Sequence, residues 1–145
     1  MSKRWHLSYR LLLMKRNSII VEAIRSSKVA KRLGTRPGRF PLSKRVQRIL
    51  EFFHNSGLIE YTVEQRRLKN NEVAREYQIT DAQKVSKIRV FDNFRPILKS
   101  TNRKILRHLK PTIYDRVLVS CKRGLIWEQD LGESEGGRIL AIVTK

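Results

Sequence analysis

Residues 116–127, Arg-Val-Leu-Val-Ser-Cys-Lys-Arg-Gly-Leu-Ile-Trp, predict a strand, a tight basic turn and a second strand. Apolar side chains dominate both arms, and small or cationic residues fill the turn between them. Farther along, Gly136-Gly137 allows the chain to bend before a final strand, Arg138 to Val143. The core of that strand is apolar on both faces, which is typical of a covered central strand. The C-terminal part of the chain is therefore expected to form a small, mostly antiparallel β-sheet.

The clearest helix lies upstream, between an N-cap at Ser43 and a stop at Gly57. Its apolar stripe comprises Val46, Ile49, Leu50 and Phe53. Its first turns carry the cations Lys44, Arg45 and Arg48. Cations there oppose the helix dipole, at a cost of roughly 0.3–1 kcal/mol each unless an anion lies nearby. The arrangement favours a phosphate-facing surface, although a solvated helix face is the commoner explanation of such a charge run.

The remaining N-terminal segments predict a second helix and a β-hairpin. Residues 4–16 form an amphipathic pattern with a basic face, and residues 18–24 fit either an extension of that helix or a strand. Alternating polarity predicts strands at 58–63 and 85–91. The polar stretch 65–84 between them is expected to be a long hairpin tip or a partly disordered excursion.

The sequence Phe94-Arg95-Pro96 marks a boundary between two modules. Residues 1–94 would hold two helices and the β-hairpin, and residues 95–145 would hold the C-terminal sheet. The expected fold class is therefore α+β, built as two small modules.

Charge is the composition's most informative property. The 145 residues include 32 Lys and Arg against 13 Asp and Glu, for a net charge of +19. Cations are concentrated in the first 50 residues, where Glu22 is the single acid. A compact chain with this imbalance is expected beside a polyanion. Because aromatic residues are scattered, structured RNA or a duplex fits better than a threaded single strand.

Several other classes of site find no support in the sequence. Cys121 is the single cysteine, and the histidines lie far apart, so neither a disulfide nor a metal site is expected. No cofactor loop is recognisable, and we expect neither a cofactor nor a small-molecule substrate. No apolar run approaches the roughly 20 residues that span a bilayer. The Arg- and Ser-rich N-terminus is compatible with a helix or with an organelle transit peptide.

The C-terminal turn has the composition of an RNA contact. Small residues at Ser120, Cys121 and Gly124 would let a nucleic-acid backbone approach, and Lys122 and Arg123 supply charge. The Gly136-Gly137 bend would complete a concave surface beside this turn. A role in turn geometry alone is the alternative for these glycines, and Cys121 fits a small packing residue better than a catalytic thiol.

This segment resembles the end of the bacterial-type family-eight small-subunit ribosomal proteins, whose pattern runs strand, Ser-Thr-Ser/Thr-Lys-Gly-Ile, short helix and Gly-Gly-Glu-Ile-Leu. The matching residues here are Ser120, Lys122-Arg123, Gly124, Gly136-Gly137 and Ile139-Leu140. Upstream matches follow in the family's order: Arg16-Asn17-Ser18, Pro41-Leu42-Ser43-Lys44, Ile49-Leu50, Gly57-Leu58-Ile59 and Pro96-Ile97-Leu98. The chain departs from the family at Cys121, in place of Thr, and at Arg138, in place of Glu.

The resemblance implies a structural protein, not an enzyme, that binds the central domain of small-subunit rRNA and stabilises its fold during assembly. Neighbouring small-subunit ribosomal proteins would be its other partners, and the departures suit an organellar, mitochondrial ribosome. The expected RNA-binding residues are Ser120, Cys121, Lys122, Arg123, Gly124, Gly136, Gly137, Arg138, Arg16, Asn17, Lys44, Arg45, Arg103 and Lys104.

Three other functions remain open at this point. The helix at 43–54 followed by strands also fits a winged-helix DNA-binding protein. The basic N-terminal helix fits a peripheral membrane protein. An RNA-modifying enzyme is the third, but no acid–base pair or metal set supports it.

Overall fold

A computed structural model describes residues 20–90, 97–98, 112–132 and 136–145. Over these residues the fold is α+β, as the sequence predicts. The first elements are α1 Ile20–Leu33, β1 Phe40–Pro41, α2 Lys44–Asn55, β2 Glu60–Arg67 and β3 Val73–Asp81. They are followed by β4 Lys87–Val90, β5 Ile97–Leu98, β6 Asp115–Cys121, β7 Gly124–Trp127, a 3-10 turn Glu128–Asp130 and β8 Gly137–Thr144.

The described chain divides into two compact units between Lys84 and Val85. We call them the N-terminal unit, described from residue 20 to 84, and the C-terminal unit, which holds the later described residues. The sequence placed this boundary at Phe94-Arg95-Pro96, and those three residues lie outside the described part, as does the helix expected at 4–16.

Helix α1 shows that the undecided segment 18–24 is helical from Ile20 onward. Its buried side is a stripe at helical spacing, formed by Ile20, Ala23, Ile24, Ser27 and Ala30. The small residues in this stripe let the helix lie close to β3, which it contacts. After α1, the backbone amide of Gly38 donates to the Ser26 hydroxyl over 2.8 Å, which fastens the following loop to the helix.

Helix α2 begins and ends where the sequence predicts. The Ser43 hydroxyl accepts a hydrogen bond from the amide of Val46 over 3.2 Å, so it caps the first turn. At the other end Gly57 takes a positive φ of 75°, and the amide of Leu58 donates to the carbonyl of Phe53 over 3.0 Å. The predicted apolar stripe, Val46, Ile49, Leu50 and Phe53, is buried.

The N-terminal unit has a three-stranded antiparallel sheet in the order β1-β3-β2. Here the structure differs from the expected excursion at 65–84. Strand β2 continues to Arg67 and pairs with β3 along its length, so the hairpin is a regular two-stranded ribbon. Its turn is closed by a hydrogen bond from the Leu68 amide to the Glu72 carbonyl over 2.8 Å, with Asn71 at a φ of 65°.

The two faces of this sheet differ. Tyr77 and Ile79 of β3 are buried on the side that α1 and α2 cover. A β-bulge between Glu60 and Tyr61 sets the register, so that Tyr61 lies opposite Ile79. Side chains alternate along a strand. From Tyr61 to Arg67 and from Val73 to Ile79, the odd-numbered residues therefore lie on the helix side and the even-numbered residues lie on the other side.

The C-terminal unit is a five-stranded sheet with the path β4-β8-β6-β7, and β5 also pairs with β8. Strand β4 pairs with β8, Lys87 opposite Thr144, and so belongs to this sheet instead of the upstream hairpin. The predicted central strand is confirmed, because β8 has partners on both sides and residues 139–143 are all buried. One face of this sheet contributes a core cluster of Val117, Val119, Cys121, Ile126, Leu131, Ile139 and Ile142.

Asp115, at the start of β6, connects that strand to the end of the neighbouring strand β8. Its carboxylate accepts hydrogen bonds from the amide of Thr112 over 3.0 Å and from the hydroxyl of Thr144 at the end of β8. The hydrogen bond from Thr144, together with those from Thr112, outweighs the effect of burial and lowers the pKa of Asp115 below its ordinary value. The group is therefore a carboxylate at neutral pH, and it fixes the register at the start of β6.

Candidate nucleic-acid interface

The tight turn between β6 and β7 presents two exposed cations. Cys121 and Gly124 are paired at the ends of the strands, so Lys122 and Arg123 alone form the loop. Gly124 takes a φ of 99°, a conformation that side-chain-bearing residues rarely adopt. The guanidinium of Arg123 donates to the carbonyl of Asp130 over 3.1 Å, which connects the turn to the 3-10 segment.

Ser120 and Cys121, both expected to contact RNA, are buried inside the C-terminal unit. Their exposed fractions are 0% and 2%. Cys121 belongs to the apolar core cluster, which agrees with its interpretation as a small packing residue. In this conformation neither side chain is open to a macromolecule, so the exposed surface of the turn comes from Lys122 and Arg123.

The pairing of β6 with β8 brings the second predicted motif beside this turn. Arg138 lies directly opposite Ser120, and Gly136 is exposed at the start of β8. Gly137 is required by close packing: a β-carbon there would lie 2.5 Å from the Ser120 carbonyl oxygen. Two segments that are separate in sequence thus form one corner of the sheet, with Lys122 and Arg123 exposed and Arg138 half-buried.

Trp127 is a packing residue and not a stacking platform. It is 4% exposed, and the guanidinium carbon of Arg116 lies 5.9 Å from the centre of a ring of its indole. Such a cation–aromatic contact occupies the ring face that a base would need. Arg116 was not singled out from the sequence, because the partner of this contact lies on the neighbouring strand.

The N-terminal unit carries a second basic region around the start of α2. Lys44 and Arg45, both predicted RNA-binding residues, are exposed there together with Arg48. The amide of Leu42 donates to the carbonyl of Arg75 over 2.9 Å, which fixes the residues just before α2 beside β3. Sequence reasoning missed Arg75 and its neighbour Arg67, because 65–84 showed no strand pattern from which their faces could be derived.

The remaining predicted site residues cannot be placed. Arg16, Asn17, Arg103 and Lys104 lie outside the described residues. Within the described ranges, no group of three or more His, Cys, Asp or Glu side chains could hold a metal ion. No helix among those residues is long and apolar enough to cross a membrane.

Titratable groups with shifted pKa values keep their usual charge at neutral pH. Burial raises the pKa of Tyr77, and burial together with the nearby Glu51 carboxylate raises that of Tyr61. The Asp115 shift is downward. None of these three groups therefore adds to the positive charge that the exposed Lys and Arg side chains offer a ligand.

No protein-family model matches the chain, and a search of curated proteins finds no match.

Proposed function

We propose that the protein is a structural component of a small ribosomal subunit that binds the central domain of small-subunit rRNA. The observation that carries this proposal is the corner of the C-terminal sheet, where β-pairing joins the Lys122-Arg123 turn to Gly136-Gly137-Arg138. These two segments also carry the C-terminal resemblance to the family-eight proteins. Because the two segments lie side by side, their cations form one compact basic surface. If the segments lay apart in the fold, the same cations would be scattered.

The order of elements in the C-terminal unit supports the same proposal. A strand, a basic turn, a second strand, a short 3-10 segment and a glycine-led final strand follow one another from Asp115 to Thr144. That is the succession that the resemblance implies. The close contact at Gly137 gives a physical reason for a glycine at that motif position.

The mechanism needs positioning and charge but no covalent chemistry. Lys122 and Arg123 would contact phosphates while the buried strands hold the turn in one shape, and the exposed backbone at Gly136 would let RNA come close. Cations of the N-terminal unit, including Lys44 and Arg45, would hold adjacent phosphates. If about 6–8 phosphates are neutralised, log affinity falls with log salt concentration at a slope of roughly −4 to −7.

The same proposal covers the cellular setting. Neighbouring small-subunit ribosomal proteins are the expected protein partners, and an organellar ribosome is the expected location. The departures from the family pattern at Cys121 and Arg138 favour an organellar over a bacterial setting.

A DNA-binding function is the second candidate, and one observation favours it. In the N-terminal unit the basic helix α2 is followed by the β2–β3 ribbon in a sheet of order β1-β3-β2. A helix followed by a ribbon is also the arrangement of a winged-helix DNA-binding module. This reading gives no role to the corner at Lys122, Arg123 and Arg138, so we rank it second.

A competition titration tests the proposal. The labelled ligand is a folded central-domain element of small-subunit rRNA, and the competitors are an unrelated RNA hairpin of equal length, duplex DNA and vesicles of anionic lipid. The test variant is Lys122→Ala with Arg123→Ala. The matched control is Lys31→Ala with Arg32→Ala, which removes an exposed Lys-Arg pair from α1.

We expect none of the competitors to displace the labelled rRNA element efficiently at either of two salt concentrations. Only the turn variant should lose this preference for the rRNA element. Both double variants remove the same charge, so a loss shared equally by the two would reflect only the general field of the protein and would overturn the turn as a site. Equal or tighter binding to duplex DNA would favour the DNA-binding function. Tighter binding to the vesicles would favour a membrane-surface protein.

A further inference from the structure

The β2–β3 hairpin sorts its charged residues by face. On the side away from the helices, the strand residues include Glu64, Arg66 and Glu76, and we call this the paired face. On the helix side, both charged strand residues are arginines, Arg67 and Arg75. We call this second surface the arginine face; its other exposed members are Val63, Gln65 and Val73.

The paired face is close to neutral because its charges compensate one another. Arg66 lies 3.4 Å from a carboxylate oxygen of Glu76 on the neighbouring strand. Arg39, just before β1, lies 3.1 Å from a carboxylate oxygen of Glu64. Glu64 and Glu76 thus each have an arginine partner, and little charge is left for a ligand.

The arginine face has no such compensation. Arg67 lies opposite Val73, and Arg75 lies opposite Gln65, so the two guanidinium groups are diagonal neighbours across the ribbon. Diagonal neighbours stand about 7–8 Å apart, within reach of one ligand by long side chains. Within the described part of the chain, no carboxylate forms an ion pair with either arginine.

The arginine face continues into the basic start of α2. Leu42 is hydrogen-bonded to Arg75, and α2 begins two residues later with Lys44 and Arg45, both exposed. The ribbon then extends past the start of α2 to Arg67 and its turn. Four cations on three elements of the N-terminal unit, Lys44 and Arg45 on α2, Arg67 on β2 and Arg75 on β3, therefore belong to one basic region.

We propose that the arginine face, together with Lys44 and Arg45, is a second RNA-binding surface that contacts the phosphate backbone of a structured RNA. The inference rests on the proposed function, because it assumes an RNA partner, but it adds a surface outside the family motifs. Charge complementarity identifies the occupant. A polyanion supplies the negative charge that no carboxylate provides for Arg67 and Arg75. The exposed large apolar side chains of the face are the valines Val63 and Val73, which favours phosphate contact over insertion into a lipid surface.

A face-swapped pair of variants tests this surface in the full-length protein. The test variant is Arg67→Gln with Arg75→Gln, and its control is Arg39→Gln with Arg66→Gln. Both remove two positive charges from the N-terminal unit, but only the first removes them from the arginine face. The control is stringent because it also leaves Glu64 and Glu76 without their arginine partners.

Affinity for the folded rRNA element is measured as a function of salt concentration for the wild-type protein and both variants. We expect the slope of log affinity against log salt to become shallower by about 1 for each arginine lost from the arginine face. The control should keep the wild-type slope. Equal slopes for the two variants, or a larger change in the control, would overturn the second surface. Circular dichroism verifies that both variants are folded.

Crosslinking gives an independent measurement that does not depend on an affinity change. Gln65→Cys places a thiol on the arginine face, and Thr62→Cys places one on the opposite face of the same strand. The natural Cys121 is 2% exposed, so a thiol-reactive photocrosslinker will attach mainly at the introduced site. We expect RNA crosslinks from position 65 and few from position 62. Equal yields at the two positions would contradict the inference.

The outcomes separate this inference from the proposed function. If the wild-type protein prefers the rRNA element but both ribbon variants behave alike, the second surface is wrong and the proposed function stands. If the wild-type protein shows no preference for RNA over duplex DNA, the proposed function itself fails. If the Arg67/Arg75 variant instead selectively loses binding to anionic vesicles, the face has a lipid partner and the RNA assignment is overturned.

Discussion

The β6–β7 and β2–β3 hairpins both carry cations at their turns, yet they are built differently. Strand β6 is buried along almost its whole length, and its turn is only two residues long. Strand β2 is exposed from Thr62 to Arg67, and its turn is longer. Burial can thus hold a basic turn in one shape, whereas an exposed ribbon holds its charges in place by strand register alone. The first arrangement fixes a small contact with high precision, and the second spreads charge over a longer surface.

Matched valine truncations should separate the two hairpins most strongly. Val119→Ala removes a fully buried side chain from β6, and Val73→Ala removes one that is 55% exposed from β3. We expect the first to lower the free energy of unfolding of its unit by about 2–3 kcal/mol and the second by about 0.5 kcal/mol or less. Native-state hydrogen exchange of strand amides measures each unit separately. Equal losses would remove the contrast between the hairpins.

Crowding at the corner of the C-terminal sheet should give the next largest effect. Gly137→Ala would place a β-carbon 2.5 Å from the Ser120 carbonyl oxygen, so one of the two strands must shift. We expect a loss of about 1–3 kcal/mol in the free energy of unfolding of the C-terminal unit. Gly136→Ala, at an exposed neighbour, is the control and should cost clearly less. A tolerated Gly137→Ala would mean that the strands separate easily there.

The supporting carboxylate of the C-terminal unit should make the stability of that unit dependent on pH. The pKa of Asp115 is lower in the folded state than in the unfolded chain, so the unfolded state binds protons first as the pH falls. Its stabilising contribution is therefore complete above the ordinary pKa of 3.8 and is lost as the pH falls through the lowered folded-state value. Urea unfolding followed by Trp127 fluorescence in a Trp5→Phe background measures this. Asp115→Asn should be less stable at neutral pH and should lack this acid-dependent step.

The smallest effect is expected from the paired face of the β2–β3 ribbon. Arg66→Gln removes an ion pair in which the arginine side chain is 67% exposed. Exposed pairs of this kind contribute about 0–1 kcal/mol, and salt weakens them further. Hydrogen exchange of the β3 amides should therefore change little at low salt and not at all at high salt. A substantial loss at high salt would show that packing by Arg66, not its charge, supports the ribbon.

The sequence was most informative where short-range signals act within one element. Ser43, the stripe from Val46 to Phe53 and Gly57 define α2 through contacts a few residues apart, and the structure follows them. The final strand was equally predictable, because an apolar run over 139–143 can only be accommodated by cover on both sides.

Strand β3 and the partner of β4 could not be derived from local pattern. Strand β3 carries exposed or half-buried residues over its first half, so the alternation that marks a half-buried strand is absent there. It is held by pairing with β2 and with Phe40–Pro41, which lie elsewhere in the sequence. Strand β4 pairs with β8, more than fifty residues away, and no local feature of Lys87–Val90 specifies that partner.

The candidate site was predicted only in part, again because local pattern does not show which residues pack together in the fold. The pattern identified Lys122 and Arg123 as an exposed turn, and they are exposed. It could not distinguish a small residue that admits a ligand from one that fits a crowded core, which is where Ser120 and Cys121 lie. Arg67 and Arg75 were missed because their common face exists only once the register of the ribbon is known.

The bulge opposite Glu60 and Tyr61 is a place where the length of the β2–β3 ribbon can change. The extra residue is Thr80 of β3, because Glu60 and Tyr61 are adjacent in β2 whereas their partners Asp81 and Ile79 are two residues apart. Deleting Thr80 would leave a regular ladder, in which the pairs from Tyr61–Ile79 to Arg67–Val73 keep their partners and their sides. A lineage could thus lose the codon of Thr80 and shorten β3 by one residue while the charge on each face of the ribbon stays the same.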